Sequence, residues 1–233
     1  MRRIFYTFLL VVSIQAAFAQ DDPYIEKDLV ETRDIHFRES LLFIRGVINV
    51  PNVIANSGLR SSFKGIYEGN LSFNIRVASG LSLGVGMKNS LISTQERLQD
   101  VDIKMQLYTA YFRLAYARYH NEKAYSVFGA NFGYNNSFFT NVVPIHSPVL
   151  TKNYNSLVFE PEYSINFVVD EHFTIGLFIS YMYLFTPFDA RNIALQDYSS
   201  AATRGVNSGN GFLNFGFSFY VGMGREFKPK IQE

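Results

Sequence analysis

The stretch FKGIYEGNLSFNIRVASGLSLGVGMK, residues 63–88, decides the fold. Phe63, Tyr67, Leu71, Phe73, Ile75 and Val77 fall on one side of an extended chain, and Glu68, Asn70, Ser72, Asn74 and Arg76 on the other. A two-residue repeat sends successive side chains to opposite faces, so this is the signature of a strand with one apolar and one polar face. Ser79-Gly80 interrupts the pattern, which resumes at once with Leu81, Leu83, Val85 and Met87 opposite Ser82, Gly84, Gly86 and Lys88. Two alternating runs across a two-residue Ser-Gly break predict a β-hairpin.

The same alternation recurs along the chain. It predicts strands at about 41–50, 63–78, 81–89, 104–118, 124–135, 157–169, 173–185 and 212–223. A comparable 3.6-residue period does not occur after the first 40 residues, although 20–40 has room for a helical turn. Connections alternate in length. The short ones are Ser79-Gly80, His120 to Lys123 and Asp170 to His172; the long ones span about 51–62, 90–103, 136–156 and 186–211. Transmembrane barrels have short periplasmic turns, long outer loops and an even strand number. Eight strands that begin and end on one side give three turns and four loops, as counted.

Composition agrees. The 233 residues are 48 % hydrophobic and 16 % aromatic, with 23 Phe and 15 Tyr, too apolar for a disordered chain. Without cysteine there are no disulfides or thiolate metal sites. Mean hydropathy is +0.02, low for a helical membrane protein and fitting for alternating strands. At the N-terminus, Arg2 and Arg3 precede an apolar core, Ile4 to Val12, and Ala17-Phe18-Ala19 matches a small-x-small cleavage site. That core is too short to span a bilayer, which takes ~20 residues, so residues 1–19 are expected to be a removed export signal. The remaining chain has 19 basic and 20 acidic residues, without the basic excess of a nucleic-acid binder.

A soluble lipocalin-like barrel would alternate too. Side-chain size separates the two. The apolar faces carry Phe, Tyr, Leu and Ile in a number that an eight-strand interior could not hold. The opposite faces are mostly Gly, Ser, Asn and Thr with a few charges, which suits a narrow lumen. The expected fold class is therefore all-β: an eight-stranded antiparallel up-and-down transmembrane β-barrel. Tyr67, Tyr108, Tyr134 and Tyr183 near the outer strand ends, and Tyr116 and Tyr163 toward the inner ends, fit interfacial aromatic girdles.

The signal, the eight alternating strands and the loop pattern resemble small outer-membrane barrels of the OmpA-barrel, OmpX and OmpW kind, and most of all the PorT-like group. The resemblance covers about 41–227. Asn214 to Val221 resembles the C-terminal targeting strand of such proteins, although a tail, Lys228 to Glu233, follows Phe227. Pro161, mid-strand and without an N–H, predicts a bulge or a local gap. The domain map is 1–19 signal, 20–40 acidic periplasmic lead-in, 41–227 barrel and 228–233 periplasmic tail. The resemblance implies residence in the outer membrane amid lipid and lipopolysaccharide. It also makes other outer-membrane proteins candidate partners, and nucleic acid is not among the partners expected.

Chemistry concentrates on the polar face: Arg45, Glu68, Arg76, Lys88, Arg113, Glu160 and Glu162. Charges in a narrow lumen must pair. They make either a polar pore with a gate or a salt-bridged plug, and the small diameter favours the plug. Enzymatic signals are poor. Of His36, His120, His146 and His172, His146 lies beside Ser147 in an outer loop, without a carboxylate at readable spacing. Metal-ligand spacings and phosphate-binding glycine loops do not occur, so no cofactor is expected. The functional expectation is a non-catalytic structural or interaction protein, an accessory of an outer-membrane secretion or surface machine. The alternatives are a narrow transport barrel for small or apolar molecules, as OmpW-like resemblance implies, and a lipid-modifying enzyme.

Overall fold

The computed structural model describes residues 40–95, 102–121, 123–142, 150–170, 172–188 and 209–226. The signal, the lead-in up to residue 39, the tail, His36 and His146-Ser147 lie outside them. The described strands are β1 (Ser40–Ala55), β2 (Phe63–Ala78), β3 (Leu81–Thr94), β4 (Asp102–Asn121), β5 (Ala124–Val142), β6 (Leu150–Val168), β7 (Phe173–Leu184) and β8 (Asn210–Glu226). A short helix α1 (Ser57–Ser62) follows β1. Each strand pairs antiparallel with its sequence neighbours, and β1 pairs with β8 from Ser40↔Glu226 to Ala55↔Gly211, which closes the barrel. One end carries the short turns, among them Gly80 at φ 71°, a left-handed conformation that costs glycine little. The other end carries the long loops.

Six of the eight strands are longer than expected, mostly at the loop end; β2 keeps its bounds, β7 ends one residue early, and β4 and β8 each also gain three residues at the turn end. β5 runs to Val142 where alternation ends near 135, and β6 starts at Leu150 where alternation starts near 157. The cause is a reversal of polarity. On β4, Lys104 and exposed neighbours turn outward while Ile103, Met105 and Leu107 are buried inside. Strand geometry continues there, but apolar-out becomes apolar-in, and a sequence pattern tuned to the first arrangement reads the second as loop.

Phe63 was expected outward and is instead buried, 2 % exposed. The β2–β3 register shifts between Gly65 and Tyr67, so Ile66 and Tyr67 both face out and every residue before them changes face. Pro161 behaves as its missing donor requires. Its pairing with Ala130 of β5 is continuous, while toward β7 the ladder passes from Phe159↔Tyr183 to Glu162↔Ser180 without change of register. The result is a local gap on one side and no bulge.

The outward face is an apolar belt. Among the described residues, 32 large hydrophobic side chains are exposed, including Leu71, Phe73, Phe112, Phe132, Leu177 and Phe217. A water-soluble monomer rarely exposes such a contiguous surface. Inside, the lumen is filled in three layers. Toward the turns lie Phe43, Tyr125, Phe178 and Tyr220; the charged layer is in the middle; and toward the loops is an apolar cap including Leu59, Phe63, Ile92, Leu107, Met182 and Phe212.

Candidate functional site in the lumen

Of the seven lumen charges, six meet in one cluster. Glu162 of β6 is shared by two arginines: Arg113 donates from Nε and Nη2 to Oε1 at 2.9 and 2.7 Å, and Arg45 from Nη2 to Oε2 at 3.1 Å. Glu160, two residues earlier and on the same face, takes Lys88 Nζ on Oε2 at 2.8 Å. The same ammonium lies 3.7 Å from Glu68 Oε2. Three positive groups thus face three negative ones. Their side chains are 0–2 % exposed, so the cluster is charge-balanced in a place where an unmatched charge would cost several kcal/mol.

Neutral side chains complete the layer. Asn131 of β5 donates to Glu160 and Glu162 at 3.2 and 2.9 Å. Ser180 of β7 donates to Glu160 Oε1 at 2.6 Å, and Asn214 of β8 to the same oxygen at 3.2 Å. Asn49 and Ser90 donate to Glu68 at 2.9 and 2.5 Å, and Asn74 accepts from Arg113 Nη1 at 3.2 Å. All eight strands therefore contribute to one network, a ring of cross-links at a single level. Arg45 keeps Nε and Nη1 without hydrogen-bond partners and lies over the Phe178 and Tyr220 rings at 5.1 and 5.9 Å.

No protein-family profile matches the sequence, and no curated protein is similar enough to it to count as a relative. Solved structures do match. Neisserial surface protein A overlays with a TM-score of 0.50 at 13 % identity, covering 79 % of this chain and 98 % of that one. A major outer membrane protein of Thermus thermophilus gives 0.49 at 11 % identity, over 76 % and 98 %. OprG from Pseudomonas aeruginosa gives 0.45 at 13 %, over 81 % and 99 %. The fold is that of the small outer-membrane β-barrels. At these identities the likeness extends to the fold and no further.

Within this outer-membrane barrel fold, Arg76 stands apart from the cluster. It lies one layer toward the turns, where Nη1 donates to the Tyr119 hydroxyl at 3.1 Å and the guanidinium sits 5.8 Å from the Phe43 ring. Sequence reasoning missed the amide and hydroxyl partners, because Asn and Ser on a lumen face look like inert filler. It missed Tyr111 as well, whose hydroxyl donates to Asn70 Oδ1. A signal was present: Tyr111 is flanked in register by Gly86 and Gly133. A Cβ on Gly86 would come within 2.5 Å of the Tyr111 ring, so the glycine makes room for it.

The cap was missed entirely. It depends on Asn56, at φ 67°, whose Oδ1 accepts from Leu59 N at 3.2 Å and whose Nδ2 donates to Asn210 Oδ1 at 3.0 Å. This folds α1 over the loop end and buries Leu59 beside Phe63 and Phe188. A cavity of about 20 Å³, lined by Met105, Phe139, Phe188 and Phe212 among others, has room for roughly one water.

Proposed function

We propose that this chain is an integral outer-membrane barrel that works as a closed, non-catalytic scaffold. In this reading the apolar belt sits in lipid and lipopolysaccharide, the short turns face the periplasm, and the long loops face outward to other outer-membrane proteins. The observation that carries it is the filled lumen: an apolar cap, a neutral ion network and an aromatic layer lie one above the other. A barrel that spends its interior on cross-links has its loops and rim left for function. The PorT-like resemblance points to an accessory of a secretion or surface machine. Catalysis has no part in this reading. The lumen carboxylates are engaged in ion pairs. The Ser126–His120 contact at 2.7 Å has a serine only 3 % exposed, with the Tyr163 hydroxyl 3.1 Å from its oxygen.

Planar-bilayer recording tests it. The scaffold reading expects inserted protein, detected by its shift in gel mobility on heating, without ion steps. Regular conductance steps in the wild type would overturn it. The apolar lining of the small loop-end cavity favours a second reading, a narrow route for small apolar molecules. Uptake of such a solute into protein-bearing vesicles, with conductance still absent, would select that one.

A further inference from the structure

Four outward residues form a diamond on the belt: Gly69 and Leu71 on β2, Asn89 and Met87 on β3, with Gly69 paired to Asn89 and Leu71 to Met87. Their relief is uneven. A Cβ on Gly69 would meet nothing within 4 Å, so the surface has a hollow there, whereas Gly46, outward on β1, lies under the Phe219 ring. Met87 is 69 % exposed, more than any other large hydrophobic among the described residues. A knob and a hollow therefore stand side by side.

Asn89 is the polar member, and its shielded Oδ1 has no hydrogen-bond partner. Register gives its depth. The row that starts at Ile44 on β1 and passes Val85, Phe132 and Tyr183 returns to β1 at Ala55, nearer the loop end. Each step to the next strand along a row therefore climbs toward the loops, by about 3 Å for strands ~4.8 Å apart and tilted ~40°. Asn89 is one such step below Tyr108, the girdle residue packed edge-on by Phe138, and the outward Leu91 follows it toward the loops. An amide at this depth faces lipid and lacks the partner that water would supply, which costs free energy. Asn136, whose Oδ1 also has no partner, lies one step above Tyr108, where headgroups and water reach it.

The same geometry arranges the diamond around a vertical line. Two residues of tilted strand drop about 5 Å, so Met87, one strand on and two residues down, comes within about 2 Å of the height of Gly69. Leu71 and Asn89 both fall midway between the two, one above the other. A two-fold axis along the membrane normal through Asn89 and Leu71 brings Met87 of each copy to Gly69 of the other.

We propose that this face of β2 and β3 is the interface of a symmetric dimer formed with a second copy of the chain in the membrane. Met87 of each copy fills the Gly69 hollow of the other, and the two Asn89 amides bond to each other on the axis, above a Leu71–Leu71 contact. Close packing and polar pairs, not hydrophobicity, drive such association in lipid. The occupant is a second copy because the face is complementary to itself, knob to hollow and donor to acceptor. Lipid tails can fill the hollow but leave the amide unpaired. The inference rests on the outer-membrane reading, since only lipid deprives the amide of water.

The chain has no cysteine, so single cysteines report the interface. The full chain carrying Leu71→Cys, reconstituted in phospholipid vesicles and oxidised with copper phenanthroline, should give a disulfide-linked species of twice the chain mass. Leu177→Cys, exposed on β7 four strands round from β3, should stay monomeric. Dilution with lipid then yields the dissociation constant. Adding Asn89→Leu to Leu71→Cys should raise it about tenfold, and adding Gly69→Leu should abolish the dimer. Each variant is checked for folding by gel mobility on heating; Asn89→Leu carries the test should Gly69→Leu not fold. Equal crosslinking at positions 71 and 177, an unchanged constant with Asn89→Leu, or a crosslinked product of any other mass overturns the dimer. A wild type that is folded and monodisperse in buffer without detergent overturns the outer-membrane reading itself.

Discussion

Replacing Glu162 by Gln removes one negative charge from the middle of the lumen and changes little else in volume. Glu162 is the carboxylate on which Arg45 and Arg113 converge, through contacts of 2.7 to 3.1 Å, and all three side chains are 0–2 % exposed. The substitution leaves the cluster with three cations against two anions. Water cannot compensate, because the aromatic layer and the apolar cap close both sides. Removing one partner of a buried ion pair costs about 3–5 kcal/mol, and Gln keeps one acceptor oxygen for the arginines, so about 3 kcal/mol is expected. The comparison is Leu71→Ala, on the outward face and 47 % exposed, where lipid or detergent fills the vacated space. It should cost about 1 kcal/mol or less. Urea unfolding in detergent, followed by tyrosine fluorescence since the chain has no Trp, measures both. Adding Arg45→Met to Glu162→Gln restores neutrality and should recover a large part of the loss. Should Glu162→Gln be harmless while Leu71→Ala is severe, the faces are reversed and the lumen argument is wrong.

Other outcomes follow from the layers and the glycines. Arg113→Ala should leave the bilayer electrically silent in planar-bilayer recording, because the apolar cap and the aromatic layer still block the lumen on both sides of the charged layer; regular ion steps would refute the three-layer plug. Gly86→Val puts side-chain carbon against the Tyr111 ring and should cost about 1–3 kcal/mol in the same urea assay, while Gly69→Ala, with nothing within 4 Å of its Cβ, should be neutral. In intact cells a bulky maleimide should label Arg60→Cys at the loop end and spare Lys123→Cys at the turn end; the opposite result inverts the proposed orientation. Intact mass of membrane-extracted protein should correspond to a chain beginning at Gln20.

Much of this barrel could be read from residues alone, for a physical reason. A strand between lipid and a narrow polar lumen must alternate large apolar with small polar side chains, and segments such as 71–75 and 213–219 do so without interruption. Strand number, the short turns at Ser79-Gly80 and near Asp170, and the inward direction of Glu68, Arg113 and Glu162 all follow from that period. Where the lipid ends, the rule ends. Ile103, Met105 and Leu107 point inward because they pack against Leu59, Phe188 and Phe212, partners distant in sequence that only closure of the barrel brings near. The flip of Phe63 came from one extra residue at Ile66, invisible until β3 is laid beside it. Ion pairing was likewise a tertiary matter. The period said which charges face the lumen, but the height of each along its strand is set by register and shear. Those place Arg45 beside Glu162, 117 positions away, and put Arg76 a layer below with Tyr119.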